Sequence, residues 1–408
     1  MTITLENLDD SLADRLRRIS FLSAIAFVLV TQSRVLAGIG LGEIAGIALI
    51  ATTLGRRTAL PLWAFTALLA ILVGFIIGGT TNQFSGHSPI ASGRDIVALI
   101  FALAFALSAL TQMRHTGQPI NLLNGGLTLA VIIQAIPLVL IPFGVETNAW
   151  LTDSDEPGIP FLSRYTGFSD NPNQLGILLC GYPFVAIASL HTAGGRWGRA
   201  FSALGLLAFL PVVALIKSNT VFSAYIICFT LWFMLWLNQW QLPASQRTHT
   251  ATRAAITTAL GIAAALLFVL YASESIKKTD TDDANGRFPL WIHAIEGIEQ
   301  TWMLGAGPGA QSGETGPFQG SEAHNQLLDF TLQGGALAMA AYAFLVAGVI
   351  REVVRSRSTL AACMLTAILV EQLTHYTARQ PISWIYLMLV FALAGHRGAS
   401  THSAPREL

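Results

Sequence analysis

Residues 60–79 have the sequence LPLWAFTALLAILVGFIIGG, in which no side chain is charged. A helix of about 20 apolar residues spans the roughly 30 Å hydrocarbon core of a bilayer. Stretches of this kind recur along the 408-residue chain, which is 53% hydrophobic and only 11% charged. A typical soluble domain carries about 25% charged residues. The sequence therefore predicts a polytopic membrane protein and excludes a soluble globular, disordered or collagen-like chain.

Twelve apolar stretches are candidates for membrane-spanning helices, because the backbone polar groups of a span must be satisfied internally. We predict an all-α fold with these spans at 19–34, 38–55, 60–79, 94–112, 121–142, 172–191, 200–216, 219–237, 254–272, 334–351, 359–375 and 381–395. The first two form one long apolar run that is broken near Arg34 and Gly38. The three cysteines lie inside apolar runs, and this argues against a disulfide framework and a zinc site.

The charged residues divide unevenly between the two sides of this topology. The side that holds both termini carries 15 of the 23 Lys and Arg residues, and the other side carries 8. Because Lys and Arg concentrate in short cytoplasmic loops, both termini are predicted to be cytoplasmic. Asp and Glu have the opposite distribution, with 6 on the cytoplasmic side, 16 outside and Glu43 within the second span. The formal net charge of zero thus hides two faces of opposite charge.

The predicted domain organisation follows from this topology. Its parts are a cytoplasmic N-terminus (1–18), spans one to nine (19–272), an outer loop (273–333), spans ten to twelve (334–395) and a cytoplasmic tail (396–408). The cytoplasmic loops are short and leave little room for a site. A functional site is therefore expected on the outer face, in the long loop or in the outer segment 143–171.

Residues 288–303 in the long loop form an amphipathic stretch at helical spacing. Its apolar stripe contains Trp291, Ile295, Ile298 and Trp302, and its polar face contains His293, Glu296 and Gln300. Such a helix either lies on the outer membrane surface or packs on the helix bundle. Neither the acidic run Asp280–Asp283 nor the pair His293 and Glu296 completes a metal-binding pattern.

Two further motifs follow in the same loop. Residues 305–309, GAGPG, predict a turn rather than a Walker loop, because no Gly-Lys-Ser/Thr follows. In SEAHNQLLDF (321–330), Ser321 is a predicted N-cap, which puts His324 in the first turn of the tenth span. The helix dipole there favours the neutral imidazole that a general base requires. The alternative is an interfacial histidine that is hydrogen-bonded to a loop.

Polar residues also collect on the outer face of the first half of the chain. Arg164 and Gly167 precede DNPNQLG (170–176), in which Asn171 is a predicted helix cap and Pro172 the first helical residue. Lys217 begins the short outer turn before span eight. An ordinary cap with a surface arginine, and a lysine that snorkels from a helix end, are the alternatives. Because basic residues are scarce outside, Arg164, Lys217 and Arg287 are candidates for binding an anionic group.

In sequence order, these motifs resemble the O-antigen ligase and polymerase superfamily of bacterial envelopes. The matching pieces are Arg164-x-x-Gly167, Asn171-Pro172-Asn173, NGRFPLW at 285–291, GAGPG, and His324-Asn325 followed by Leu328 and Gly334. The chain departs from the family at Ser218-Asn219, where Ser-Arg is usual. Lys217 supplies a positive charge there, but an ammonium lacks the planar fork of a guanidinium.

The resemblance implies a GT-C-like glycosyltransferase of the bacterial inner membrane with a periplasmic active site. Its donor would be a glycan on undecaprenyl diphosphate, and its favoured acceptor is a sugar hydroxyl of lipid A–core. The chain would then be an O-antigen ligase. The alternatives are an O-antigen polymerase, a protein O-oligosaccharyltransferase of the same superfamily and, with less support, a lipid or glycan transporter.

The site residues follow from the same resemblance. The catalytic residues would be His324 and Arg287, and the substrate-binding residues Arg164, Lys217, Asn171, Asn173 and Asn325. A single displacement that inverts the anomeric configuration is expected. No metal and no cofactor are expected, because fixed cations neutralise the developing charge of a diphosphate. Membrane lipids are expected partners, and nucleic acids are not.

Overall fold

The computed structural model describes residues 5–28, 34–36, 39–56, 60–84, 89–116, 118–140, 143, 165–169, 172–192, 195–216, 218–237, 287–301, 303–310 and 322–400. In the first part of the chain, the elements are α1 (Leu5–Val28), β1 (Arg34–Leu36), β2 (Ile39–Gly40), α2 (Leu41–Thr53), α3 (Leu62–Phe84), α4 (Pro89–Arg114) and α5 (Pro119–Leu140). They are followed by α6 (Pro172–Cys180), α7 (Tyr182–Thr192), α8 (Arg196–Ile216), α9 (Asn219–Leu237), α10 (Arg287–Thr301), α11 (Gln326–Ser356), α12 (Thr359–Thr374) and α13 (Pro381–Ser400).

The described helices confirm the predicted multi-pass membrane protein. Eleven of the twelve predicted spans overlap described helices, and the ninth, 254–272, lies outside the described residues. The overlap is least for the first span, 19–34, of which α1 covers residues 19–28, and α1 is not among the described helices that are apolar enough to cross a membrane. Seven of the described helical segments are long and apolar enough to cross a membrane, and α2, α12 and the first part of α13 are shorter apolar helices.

The structure refines two of the predicted span boundaries. Between α1 and α2, the short antiparallel pair of β1 and β2 breaks the long apolar run near Arg34, as predicted. Glu43 lies in the first turn of α2, where its carboxylate accepts a hydrogen bond from the Gly40 N–H. This cap explains an acid inside an apolar span, because the first N–H groups of a helix lack intrahelical partners.

The predicted sixth span, 172–191, is divided into two helices. α6 ends at Cys180 and α7 begins at Tyr182, so that Gly181 lies between them. Pro183 explains the break, because a proline ring clashes with the preceding turn of a helix and donates no N–H.

By their contacts, the helices form two compact units. Unit 1 contains Met1–Ala59 and Ala104–Val221, and its described helices pack chiefly through α5, which contacts α1, α7 and α8. Unit 2 contains Leu60–Leu103 and Phe222–Leu408, and α11 is its central helix. α11 contacts α3, α10, α12 and α13.

α3 and α11 approach each other at the level of the backbone. A Cβ added at Gly74 would lie 2.8 Å from the Gly334 carbonyl oxygen, and one added at Gly78 would lie 2.2 Å from the Gln333 carbonyl oxygen. Beside these glycines, the rings of Phe75 and Phe330 form an edge-to-face pair with centroids 5.1 Å apart. Small residues at a helix contact of this kind drive association in membranes, where van der Waals packing replaces the hydrophobic effect.

We expect Gly78→Leu to prevent the packing of α3 against α11. No side-chain rotation relieves a Cβ that lies 2.2 Å from a backbone oxygen. The yield of monodisperse protein after detergent extraction measures the effect. Gly93→Leu in α4 is the matched control, because a Cβ at Gly93 meets no heavy atom within 4 Å. Equal yields from the two variants would contradict this account of the contact.

Candidate functional site

The segment that carries His324 is organised by the N-terminus of α11. Asn325 is the N-cap of this helix, and its Oδ1 accepts hydrogen bonds from the N–H groups of Leu327 (3.0 Å) and Leu328 (3.3 Å). The predicted helix start was therefore wrong. Ser321 lies outside the described residues, Glu322 is not helical, and His324 precedes the helix instead of lying in its first turn.

Asp329 fixes the same segment from inside the protein. Its fully buried carboxylate accepts hydrogen bonds from the N–H groups of Ala323 (2.9 Å) and Asn325 (3.0 Å), the residues on either side of His324. Hydrogen bonds to a buried carboxylate are stronger than neutral ones. Asp329 thus holds the backbone of the motif in one conformation.

His324 itself has an unusual backbone conformation. Its φ is +50°, in the left-handed region that costs a non-glycine residue about 1–2 kcal/mol. Its side chain is exposed, while those of its neighbours are buried or half-buried. Residues held in such conformations cluster at functional sites, where the surrounding structure maintains them. The geometry therefore presents one imidazole at the surface of a rigid turn.

α10 packs against α11 beside this turn. The Trp291 indole N–H donates to the Ala323 carbonyl oxygen (2.8 Å), and Ala294 is fully buried in a cluster with Ala323 and Leu332. Trp291 and Ile298 of the predicted apolar stripe pack against this cluster, whereas Ile295 is 47% exposed and Trp302 lies outside the described residues. Of the two predicted arrangements, packing on the bundle is thus observed for the buried face of α10.

The predicted turn at residues 305–309 lies against a kink in α11. Gly335 has a non-helical conformation (φ +66°, ψ −170°), which leaves carbonyl groups of the preceding turn without intrahelical partners. The N–H groups of Ala306 and Gly307 donate to two of them, at Leu332 and Gln333. All three glycines of the turn have positive φ angles near +80°, so a side chain at any of them would strain the backbone.

The end of α12 and the turn that follows it are hydrogen-bonded to the first turns of α11. Asn325 Nδ2 donates to the Leu373 carbonyl oxygen (3.1 Å), and the Thr377 N–H donates to Gln326 Oε1 (2.7 Å). The Tyr376 hydroxyl donates to Gln333 Oε1 (2.8 Å). The His324 motif is thus joined by hydrogen bonds to residues about 50 positions later in the chain.

Arg379 is the centre of an ion cluster beside the motif. Its guanidinium contacts the Glu322 carboxylate, lies 3.4 Å from Asp95 Oδ2 and stands 5.3 Å from the centre of the Tyr376 ring. Burial lowers the pKa of Arg379, but the attraction of Glu322 and Asp95 outweighs it, so the net pKa is raised above its ordinary value. Arg379 therefore stays charged and holds Glu322, two residues before His324.

Sequence reasoning placed Arg379 on the outer face but did not assign it to the site. Arg94 also lies near Asp95, with its Nε 3.9 Å from Oδ1, so that two cations and two carboxylates lie together among the residues that the structure describes. Through Glu322, this cluster contacts the segment that carries His324. The position of Arg379 in the short turn between the last two predicted spans could have pointed to a place in the site.

A buried histidine and carboxylate form a second group that the sequence did not reveal. His375 Nδ1 lies 3.1 Å from Glu371 Oε2, and both side chains are more than 90% buried. Leu373, which accepts the hydrogen bond from Asn325, lies between them in sequence. The pair therefore stands at the end of α12 that contacts the motif.

In unit 1, residues 165–169, which directly follow Arg164, form a turn around Gln134. Gln134 Oε1 accepts from the Phe168 N–H (2.8 Å), and its Nε2 donates to Ser169 Oγ (3.3 Å). The buried Tyr165 hydroxyl donates to the Gln134 carbonyl oxygen. Gly167 has a φ of +59°, and a Cβ there would lie 2.1 Å from Gln134 Oε1. The motif glycine is thus required by both conformation and space.

Side chains are not described for most of the residues that were predicted to bind substrate or the diphosphate. Arg164, Asn171 and Lys217 lie outside the described residues, and only the backbone is described at Asn173 and Arg287. The predicted helix after Asn171 begins at Pro172, and α10 begins at Arg287 itself. The Tyr165 N–H donates to the Leu215 carbonyl oxygen (3.0 Å), so the residue after Arg164 contacts the end of the helix that precedes Lys217.

No candidate metal centre is found in the part of the chain that the structure describes, where no group of three or more His, Cys, Asp or Glu side chains could hold an ion. In the pair predicted to be incomplete, His293 is half-exposed and Glu296 is exposed, with Nδ1 and Oε2 3.8 Å apart.

A comparison with protein families finds one match. Residues 203–343, about a third of the chain, match the family model described as O-antigen ligase. The match includes Lys217, Arg287, the 305–309 turn and the His324-Asn325 motif, and it ends before α12. It confirms the resemblance to the O-antigen ligase and polymerase superfamily. No curated protein matches the chain.

Proposed function

We propose that the protein is an O-antigen ligase, a glycosyltransferase that moves a glycan from undecaprenyl diphosphate to a sugar hydroxyl of lipid A–core. The reaction would take place on the periplasmic face of the bacterial inner membrane, in a GT-C-like protein with both termini cytoplasmic. The family match supports the superfamily, and the charge distribution between the two faces supports the orientation.

The observation that carries this proposal is the conformation of His324. The residue lies in the matched region, and its imidazole is exposed on a left-handed turn that Asp329, Asn325 and Ala323 hold in place. A general base must be held within hydrogen-bonding distance of the proton that it accepts, and a fixed backbone conformation provides this.

In the proposed mechanism, the acceptor hydroxyl donates a hydrogen bond to His324. The hydroxyl oxygen attacks the anomeric carbon of the donor while the bond from that carbon to the diphosphate oxygen breaks. The hydroxyl proton passes to the imidazole, and undecaprenyl diphosphate leaves with the bonding electron pair. A single displacement of this kind inverts the anomeric configuration.

Negative charge develops on the diphosphate as it leaves, and fixed cations can stabilise it. We propose that Arg287 supplies this stabilisation, and that Arg164 and Lys217 each contribute to donor binding. Asn171, Asn173 and Asn325 are proposed to bind substrate hydroxyls. Asn325 can bind a substrate hydroxyl only through the hydrogen-bonding positions that its side chain has left, because Oδ1 already caps α11 and Nδ2 already donates to the Leu373 carbonyl oxygen.

We expect Arg287→Lys to lose most of the ligation rate. The substitution retains the charge but removes the planar fork that binds two phosphate oxygens at once. Initial rates with purified protein and lipid-linked glycan measure the effect. The control is Arg199→Lys at the exposed start of α8, which should keep the wild-type rate. Full activity of Arg287→Lys would reduce Arg287 to a source of diffuse positive potential.

Chelation tests the proposed independence from metal. Ligation should continue at an unchanged rate in excess EDTA, because arginines and not Mg²⁺ neutralise the diphosphate in this mechanism. A rate that falls on chelation and returns on addition of Mg²⁺ would refute this part of the proposal.

The acceptor is decided by a direct assay. Purified protein is incubated with glycan on undecaprenyl diphosphate together with lipid A–core, a second molecule of lipid-linked glycan, or a Ser/Thr-containing protein acceptor. Transfer to lipid A–core supports a ligase. Elongation of the lipid-linked glycan would indicate a polymerase, and glycosylation of protein an oligosaccharyltransferase.

A transporter would move the lipid-linked glycan without breaking its anomeric bond, so the same assay would give no product. Transporters place charged groups near the middle of the membrane. The buried pair of Glu371 and His375 instead lies at the end of α12. This position favours an enzyme over a transporter.

A further inference from the structure

A polar cavity lies at one end of unit 1, where α5 begins, α7 ends and α8 begins. Its volume is about 350 Å³, close to the lower end of the range of about 300–1,000 Å³ that is typical of ligand pockets. The side chains of Gln118, Asn121, Asn124, Ser189 and Phe201 line it together with three glycines. All of these lining residues are uncharged.

Hydrogen bonds between the helices fix the lining side chains. Asn121 Oδ1 accepts from Ser189 Oγ (3.0 Å), and Asn121 Nδ2 donates to Gln118 Oε1 (3.1 Å). Asn124 Nδ2 donates to the fully buried Ser202 hydroxyl (2.8 Å), which donates in turn to Ser189 Oγ (3.3 Å). Because these amides are already oriented, little conformational entropy would be lost on binding.

The chemistry of the lining selects a class of ligand. Amides and hydroxyls donate and accept hydrogen bonds without charge, which matches the hydroxyl groups of a polyol. Phe201 adds an apolar surface for the C–H groups of such a molecule. An isolated phosphate or carboxylate finds no cation among the lining residues. We infer that this cavity binds an uncharged, hydroxyl-rich group, either a free sugar or the glycerol headgroup of a lipid.

The two sources of this group differ at the edge of the cavity. Arg196 and Arg199, both exposed, flank the lining residues Gly195 and Gly198 in the first turn of α8. A phosphatidylglycerol headgroup would bring a phosphate toward these arginines, whereas a free sugar would not. Replacing both arginines therefore weakens the binding of the lipid and leaves that of a sugar unchanged.

The experiment uses purified full-length protein in phosphatidylcholine nanodiscs, prepared without sugar-based detergents. Saturation-transfer NMR measures the binding of free glucose and glycerol, and native mass spectrometry measures the retention of phosphatidylglycerol against phosphatidylethanolamine. Gly195→Leu should weaken binding about tenfold or more, because Gly195 lines the cavity and a side chain is accommodated there without a clash. Gln118→Ala, at an exposed residue, should weaken it in the same direction. Gly93→Leu is the matched control and should bind as the wild type does.

The outcomes decide both the site and its ligand. Binding of phosphatidylglycerol that falls in Gly195→Leu and in an Arg196→Gln/Arg199→Gln variant supports the lipid source. Binding of glucose or glycerol that falls in Gly195→Leu alone supports a free sugar. The inference is overturned if none of the probes binds, or if Gly195→Leu binds as tightly as Gly93→Leu. Neither result bears on the proposed ligase reaction, whose residues the variants leave intact.

Discussion

His324→Ala is expected to lose about 10²–10⁴-fold in the rate of glycan ligation, the typical contribution of a positioned acid–base group. The substitution removes the imidazole but none of the hydrogen bonds that Asp329 and Asn325 make to the backbone. Initial rates with purified protein, lipid-linked glycan and lipid A–core measure the loss. Yield and thermal unfolding should match those of the wild type.

Two further variants separate the chemistry of His324 from its conformation. His324→Gly should be as inactive as His324→Ala and at least as stable as the wild type, because glycine adopts a φ of +50° without strain. Added imidazole should restore part of its activity if the missing group is a base. His293→Ala is the control, since His293 is a half-exposed histidine on α10 outside the proposed mechanism. A near-normal rate in His324→Ala would refute the proposed role.

The span pattern could be predicted because apolar length is a local property of the sequence. Residues 60–79 need no partner to be recognised as a span, and α3 is indeed a helix there. The start of α11 shows the limit of local rules. Ser321 and Asn325 are both good caps, and the hydrogen bonds of Asn325 and Asp329 select the second. The partner of α10 could not be chosen from the sequence for a related reason, because the contacts of Ala294 and Trp291 with Ala323 and Leu332 join segments that are separate in the chain.

Only those parts of the candidate site that form short, continuous motifs could be predicted from the sequence. His324, Asn325 and the 305–309 turn stand in short, recognisable segments. The carboxylate of Asp95 and the guanidinium of Arg379 are 284 positions apart, and no periodicity or spacing connects them. The role of Gln134 could not be predicted from the sequence either, although this residue holds the turn that follows Arg164. Such residues become visible only through the contacts they make.

Arg379→Met is expected to lower the free energy of unfolding by up to about 3 kcal/mol, less than the cost of breaking a fully buried ion pair, because Arg379 is 27% exposed and Arg94 remains beside Asp95. Asp95 is only 4% exposed and would keep a charge that its nearest strong partner no longer balances. The midpoint of thermal unfolding in a fixed detergent measures the effect. Arg379→Lys retains the charge but cannot reach both carboxylates with one planar group, so an intermediate loss is expected.

A second substitution distinguishes an ion cluster from simple packing. Adding Asp95→Asn to Arg379→Met removes the uncompensated charge, so the double variant should be more stable than Arg379→Met alone. If the double variant is less stable, Arg379 contributes mainly through its contact with the Tyr376 ring.

A variant of Glu322 tests whether Arg379 positions the proposed catalytic motif. Glu322 is held by Arg379 and lies two residues before His324, so its release should let the motif backbone move. Loss of position lowers kcat, because only interactions made in the transition state are weakened, whereas loss of a substrate contact raises KM. We therefore expect Glu322→Gln, which keeps the shape of the side chain but not its charge, to lower kcat with little change in KM. A change confined to KM would instead make Glu322 a substrate-binding residue, and the ion cluster would then form part of the binding surface.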